Sequence, residues 1–302
     1  LDDTPTRTTD IELRPDTRIA TRVVDRITGE VHERLLTLDQ FAQTVAFDLP
    51  ERSATVTRLD VQNAVADHLR GHGGVRFLER LTARVLAPPE LVLIPQPRRA
   101  MRAGWERRWQ TRRIVAIERE VLALVTPNQT ASTSLDPASV EQTRDDFRRT
   151  LGPDQADTVQ RICTQGLDVE VVVGRAGTGK TYTMNAVRHV LAAHGHRLGG
   201  VCPTGRAARE LADGAGIDAY TIPRLFTHAN LDPGDVLVVD ETGMCGTIDL
   251  HRILTHTRQL GIKAILVGAP HQLPELTAGG GYRAALTAVA HRRAGNDDHR
   301  SP

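Results

Sequence analysis

Val169-Glu170-Val171-Val172-Val173-Gly174-Arg175-Ala176-Gly177-Thr178-Gly179-Lys180-Thr181-Tyr182 is the stretch on which the fold turns. Val169 to Val173 is, apart from Glu170, a β-branched, apolar run, as suits a strand buried on both faces. Thr181 to Ala193 reads as a helix. Between them lies Gly174-x-x-x-x-Gly179-Lys180-Thr181, the phosphate-loop spacing. Strand, glycine turn and helix in that order give the spacing a mechanism. Glycines let backbone N–H groups turn inward, and the helix start adds partial positive charge. Lys180 then reaches terminal phosphates, and the Thr181 hydroxyl suits Mg²⁺.

The 38 basic residues include only two lysines, Lys180 and Lys263. Lys180 persists in an arginine-rich chain because a phosphate loop wants a compact ammonium, for which a planar guanidinium does not substitute.

With 302 residues, 40% hydrophobic and 25% charged, the composition is that of a globular chain of about two domains. The net charge of +1 confines any nucleic-acid surface to a local patch. Cys163, Cys202 and Cys245 are too scattered for a CxxC metal site or a disulfide framework, which points to a reducing, cytoplasmic setting. No apolar run is long enough for a membrane span. The chain opens on Leu1 without a signal-like region, as an excerpt of a longer protein would.

The expected organisation is a small, mostly helical accessory domain over 1–125, of winged-helix type. A linker and helix follow over 126–150, then an α/β domain over 151–291 and a polar tail over 292–302. In the first part, Thr21 to Thr37 reads as a hairpin around Thr28-Gly29-Glu30, while Leu38 to Asp48 carries no assignment. Thr57 to Arg70 reads as a helix with Thr57 and Asp60 as a capping box, and Val75 to Ala87 as another. Leu91 to Ile94 is a short strand, and Ile114 to Val125 an amphipathic helix. Residues 98–113 hold seven arginines and both tryptophans. They suit single-stranded nucleic acid, whose bases stack on rings while phosphates meet guanidinium. The competing view is that Trp105 and Trp109 pack one face of a helix.

From 151 onward strands alternate with helices. The strands are 169–173, 197–202, 236–239 and 264–267, and the main intervening helices are 181–193, 207–212 and 248–260. That alternation means a doubly wound parallel sheet, whose ligand belongs at the carboxyl ends of the strands. Asp240-Glu241 closes the third strand. Asp240 there suits Mg²⁺, and Glu241 suits a general base or water orienter. Gln272, after the fourth strand, suits a γ-phosphate contact, and Gln155 suits the paired amide bonds of adenine. His189, His194 and His196 carry no partner pattern.

Residues 151–281 resemble the first RecA-like domain of superfamily 1 DNA helicases, in particular the RecD-like half of TraI/TrwC-type conjugative relaxases. The matching segments, in the family's order, are LGPDQADTV, GRAGTGKTYT, CPTGRAARELAD, AYTIPRLF, VLVVDETGMCGT and GAPHQLPEL. Upstream, WQTRRIVAIEREVL is similar to the segment before the motor in those proteins. The resemblance implies ATP and Mg²⁺ as cofactors. Gly174, Gly177, Thr178, Gly179, Lys180, Thr181 and Tyr182 join Gln155 and Gln272 as nucleotide contacts. Thr181 and Asp240 serve the metal, and Lys180 and Glu241 are catalytic. Thr204, Arg206 and Thr221 touch single-stranded DNA, and other conjugation or relaxosome proteins are partners.

Two positions depart from the family pattern. Ala269 stands where its third motif carries aspartate, and Pro223 where its DNA-contact segment carries histidine. No second RecA-like unit or arginine finger follows Gly281, so impaired hydrolysis and no strand separation are expected of these 302 residues alone. Three readings stay open: the helicase part of a conjugative relaxase-like protein, part of a RecD-like repair helicase, and an ATP- or DNA-binding remnant without turnover.

Overall fold

The chain divides into two compact units, residues 1–116 and 117–302. The computed structural model describes residues 17–24, 31–49, 55–70, 73–87, 89–94, 107–126, 133–144, 151–174 and 179–268.

In the first unit, strands β1 (Arg18–Val24) and β2 (Val31–Thr37) pair antiparallel, as the hairpin pattern predicts, with Val24 opposite Val31. Helix α1 (Leu38–Asp48) follows at once. Its apolar periodicity assigns it to no element, yet its start signal is present. Thr37 Oγ1 accepts the Gln40 N–H, and Gln40 Oε1 accepts the Thr37 N–H, which closes a capping box. Strand β3 (Val56–Thr57) leads into helix α2 (Arg58–Leu69), capped in the same way by Thr57 and Asp60. Helix α3 (Val75–Leu86) and strand β4 (Leu91–Leu93) come next. Strand β5 (Arg108–Thr111) lies between β3 and β4 in an antiparallel sheet.

That strand corrects the helical view at Trp109. Trp109 stands opposite Val56 and Leu93 and packs on a core of Phe41, Val45, Val61, Val65, Leu81 and Val85. A β-paired, half-buried ring does not need a helix, and spacing of four between two tryptophans does not distinguish the two states. Trp105 lies outside the described residues. Helix α4 (Arg112–Val125) begins in the first unit and ends in the second.

The second unit is built on a five-stranded, wholly parallel sheet. Its strands are β6 (Val169–Val173), β7 (Leu198–Cys202), β8 (Ala219–Thr221), β9 (Val236–Val239) and β10 (Lys263–Gly268), in the order β6-β10-β9-β7-β8. The doubly wound α/β expectation holds, with one addition. Strand β8 reads as a turn in sequence because three residues carry too little periodicity, and its pairing with β7 supplies what the local pattern lacks.

Alternate residues of each strand feed two cores. Val236 and Val238 join the cluster that includes Val159, Met184, Val187 and Leu211. Leu237 and Val239 join the cluster that includes Val121, Leu225, Ile253 and Leu254. The helices supplying the first are α6 (Pro153–Thr164), α7 (Lys180–Ala193) and α8 (Gly205–Ala215), with α5 (Pro137–Arg144) beside them. The second draws on α4, α9 (Ile222–His228) and α10 (Thr247–Leu260). Covering both faces is what lets the strands read as mostly apolar runs.

Thr133 is buried and donates to the Gly234 carbonyl, and the Leu135 N–H donates to the Cys163 carbonyl. These contacts sit away from the carboxyl rim, as do those of Asp235, which accepts from the Arg197 N–H and Nε.

Candidate nucleotide-binding site

Parallel register brings the chemical residues to one rim. Val173 pairs with Gly268, Leu266 with Val239, Val201 with Val239, and Cys202 with Thr221. Gly174, Asp240, Thr204 and Thr221 therefore stand at the same end of the sheet, after β6, β9, β7 and β8.

Gly174 follows β6, and its N–H donates to the Gly268 carbonyl at 3.2 Å. Lys180 opens α7, and its Nζ donates to the Gly174 carbonyl at 3.1 Å, so the ammonium is held across the mouth of the turn. Gly179 precedes it with φ of 73°, in the left-handed region, and a Cβ there would meet Gln155 Nε2 at 2.5 Å. The backbone there favours glycine, and the Gln155 amide lies close against it. That glutamine sits in the first turn of α6, where its Oε1 accepts the Gly152 N–H at 2.9 Å. Gln155, Pro153, Thr158, Val173, Gly174 and Lys180 line a cleft of about 450 Å³. The α7 start has no side-chain cap, which leaves its first N–H groups for another acceptor.

Thr181 is half-buried in the first turn of α7, and Tyr182 follows it. The Thr181 methyl packs against α8: a Cβ on Gly214 would lie 2.5 Å from Thr181 Cγ2. Sequence reasoning ends this helix at Ala212. The helix runs to Ala215 and keeps the glycine because Thr181 occupies the space.

Asp240 leaves β9 with its N–H donating to the Val201 carbonyl, and its Oδ1 accepts the Glu241 N–H at 2.9 Å. Glu241 has φ of 50°, a left-handed conformation rare for a side chain of its size, and such strain is found at working sites. Thr242 Oγ1 donates to the Val239 carbonyl and locks the turn. Partial burial raises the Glu241 carboxyl above the usual range, and Asp240 and Glu210 add to it, while Lys180 and Arg206 pull it back. Burial likewise pushes the Cys202 thiol up to about 12, helped by Asp240 and Glu241.

The three DNA candidates also come together. Thr204 caps α8 by accepting the Ala207 N–H, and Arg206 stands exposed in the first turn. Thr221 closes β8 opposite Cys202 and lies beside Gly205. Arg206 Nε donates to Glu210 at 2.7 Å, a partner the sequence reading misses although the spacing of four on a helix announces it. Pro223 sits at the start of α9, where a missing N–H costs nothing. Gly177, Thr178, Ala269 and Gln272 lie outside the described residues.

Elsewhere, His194 bonds Ser139 Oγ and the Val190 carbonyl, which gives it a structural role. The three cysteines are buried free thiols. Among the described residues, no cluster of histidine, cysteine and carboxylates forms a metal cage, and no helix is long and apolar enough to cross a membrane.

A family model described as an AAA domain matches residues 150–295. The probable conjugal transfer protein TraA of Sinorhizobium fredii is 28% identical over 225 residues, covering 70% of this chain and 20% of that protein. The ATP-dependent RecD2 DNA helicase of Deinococcus radiodurans is 35% identical over 141 residues, 44% of this chain and 19% of that protein. The conjugal transfer protein TraA of Agrobacterium fabrum is 34% identical over 128 residues, 41% of this chain and 12% of that protein. The matched region is thus a fifth or less of each relative's length. Residues 150–295 carry an AAA-type helicase domain of the RecD-like superfamily 1 kind.

Proposed function

We propose that this domain binds Mg-ATP at the carboxyl rim and tracks single-stranded DNA, as the helicase part of a conjugative relaxase-like protein working in the cytoplasm. The observation that carries the reading is the grouping of Lys180, Gly174 and Gln155 around one cleft, with Asp240 and Glu241 at the same end of the sheet after β9, on the far side of β10.

The residues present fit the ligand. Lys180 supplies an ammonium, the uncapped start of α7 supplies N–H donors, and Gln155 brings a side-chain amide to the wall of the cleft. Thr181 and Asp240 would hold the metal, which when bound neutralises charge on phosphate oxygens. Glu241, with its carboxyl partly desolvated beside Asp240, is the group to accept a proton from an attacking water. Thr204, Arg206 and Thr221 form the strand-facing patch on the same rim. The relatives named for conjugal transfer favour a relaxase setting. The likeness to a RecD2 helicase supports a repair helicase as the second reading, which a nicking domain in the same gene would exclude. DNA-stimulated ATP hydrolysis separates both from a binding remnant.

Replacing Lys180 with alanine removes a charge-assisted interaction worth roughly 1.5–3 kcal/mol, about ten- to hundredfold in nucleotide affinity. Fluorescence titration of nucleotide on wild type and Lys180→Ala measures it. Equal affinities would sink the assignment.

A further inference from the structure

The first unit combines two packed helices with a small three-stranded sheet. Its order is α1, β3, α2, α3, β4, β5, with β5 between the other two strands. Helices α2 and α3 are packed together and joined by the short, glycine-containing connection 70–74, which is a helix-turn-helix followed by a hairpin. In such motifs the second helix enters the major groove and its N-terminal residues meet base edges.

The faces of α3 fit that role. Leu81 and Val85 are buried in the core of the unit, and Arg84 is paired with Asp39 on α1. The opposite stripe, Arg76, Arg80 and Ala83, is exposed at spacings of four and three. Glu79 is the one carboxylate on the helix. Val75, in the first turn, is 72% exposed, an apolar side chain of the kind that meets a thymine methyl. Charge points the same way. Residues 70–113 hold eleven arginines and three glutamates in a chain whose net charge is only +1. The connection between β4 and β5 carries Arg98, Arg99, Arg102 and Arg107 of that set. An excess so local is the electrostatic footprint of a phosphate backbone.

We infer that the first unit binds duplex DNA, with the Arg76–Arg80–Ala83 face of α3 in the major groove. The groove of B-form DNA admits a helix, whereas the deep, narrow major groove of an RNA duplex does not. This goes beyond the single-strand activity proposed for the rim and does not depend on it.

The test uses the full chain and fluorescence anisotropy with three probes: a short DNA duplex, an RNA duplex of the same sequence, and the single strand. Arg76→Gln/Arg80→Gln should lower the salt slope of duplex binding by ~1.8, at ~0.9 for each phosphate no longer neutralised. Ala83→Glu, which puts a carboxylate on the same exposed face, should also weaken duplex binding. Both should leave single-strand and nucleotide affinities as in wild type, which shows that the fold is intact. Wild type should bind the DNA duplex more tightly than the RNA duplex. The inference is overturned if wild type does not bind duplex DNA or binds both duplexes equally. It is also overturned if the α3 variants leave duplex binding unchanged or reduce duplex and single-strand binding alike.

Discussion

The two units bury their strands in different ways, and the difference decides how each reads in sequence. In the second unit β9 is buried along its whole length, with side chains entering a different core on each face. In the first unit β4 has one buried residue of three, and all four residues of β5 are only half-buried. A two-faced strand must be largely apolar, so its sequence announces it. A short strand over one core needs only an occasional apolar residue, and its sequence then resembles a helix or a loop.

The two-faced sheet also concentrates stability. Leu237 is fully buried among Leu225, Ile253 and Leu254. Truncation to alanine should cost about 2–5 kcal/mol, from reduced burial plus the cavity left behind. The comparison can be broken cleanly, because both tryptophans lie in the first unit. Leu237→Ala should lower the denaturant midpoint followed by far-ultraviolet circular dichroism or by nucleotide binding, and leave the tryptophan transition in place. If the tryptophan signal shifts equally, the units unfold as one and the contrast disappears.

Gly214 sharpens the comparison within the second unit. An alanine in a helix interior ordinarily gains ~1 kcal/mol over glycine. Here the added Cβ would lie 2.5 Å from Thr181 Cγ2, and overpacking of that kind costs typically ~1–3 kcal/mol. The clash should win, so Gly214→Ala is expected to destabilise the protein and weaken nucleotide binding by displacing Thr181. Thr181→Ser removes the methyl and keeps the hydroxyl. In that background Gly214→Ala should become neutral or stabilising. Thermal melts of the four proteins test the cycle, and an unrescued double variant would show that the two positions are not coupled.

Much of the site is legible in sequence for the same reason as the sheet. Gly174, Lys180 and Asp240-Glu241 follow strands whose apolar runs are unmistakable, and parallel register then carries them to one rim. What is not legible depends on partners distant in sequence. Strand β8 exists because β7 pairs with it, and Gly214 stays in its helix because Thr181 approaches it from α7. Helix α1 escapes for a different reason, since its capping box of Thr37 and Gln40 is there to be read. In the first unit, one-sided burial hides β5 behind the spacing of two tryptophans.

Lys263 stands out in sequence only for its rarity, and its position explains it. It is 1% exposed, and its Nζ donates to the carbonyls of Ile162 at 2.5 Å and Gln165 at 2.6 Å. Both carbonyls belong to the end of α6, the helix that carries Gln155 at its other end, so a buried ammonium fastens that helix to β10. Burial pulls the ammonium down from 10.5 to about 8, against the nearby Glu170. Below pH 8 folded and unfolded chains both hold this proton, and the group adds no pH dependence. Between about 8 and 10.5 the unfolded chain holds the proton and the folded one releases it, so this group makes stability rise with pH. The buried thiols act oppositely. Cys163 and Cys202 are raised from 9.0 to about 12, so above pH 9 they ionise in the unfolded chain first and stability falls. Comparing wild type with Lys263→Met largely subtracts the thiols. The wild-type slope of stability against pH should exceed the variant's by at most ~1.4 kcal/mol per pH unit across that window. Urea denaturation at intervals between pH 7 and 10 measures the difference. Parallel profiles would mean that Lys263 is solvated in the folded protein and does not fasten α6 to the sheet.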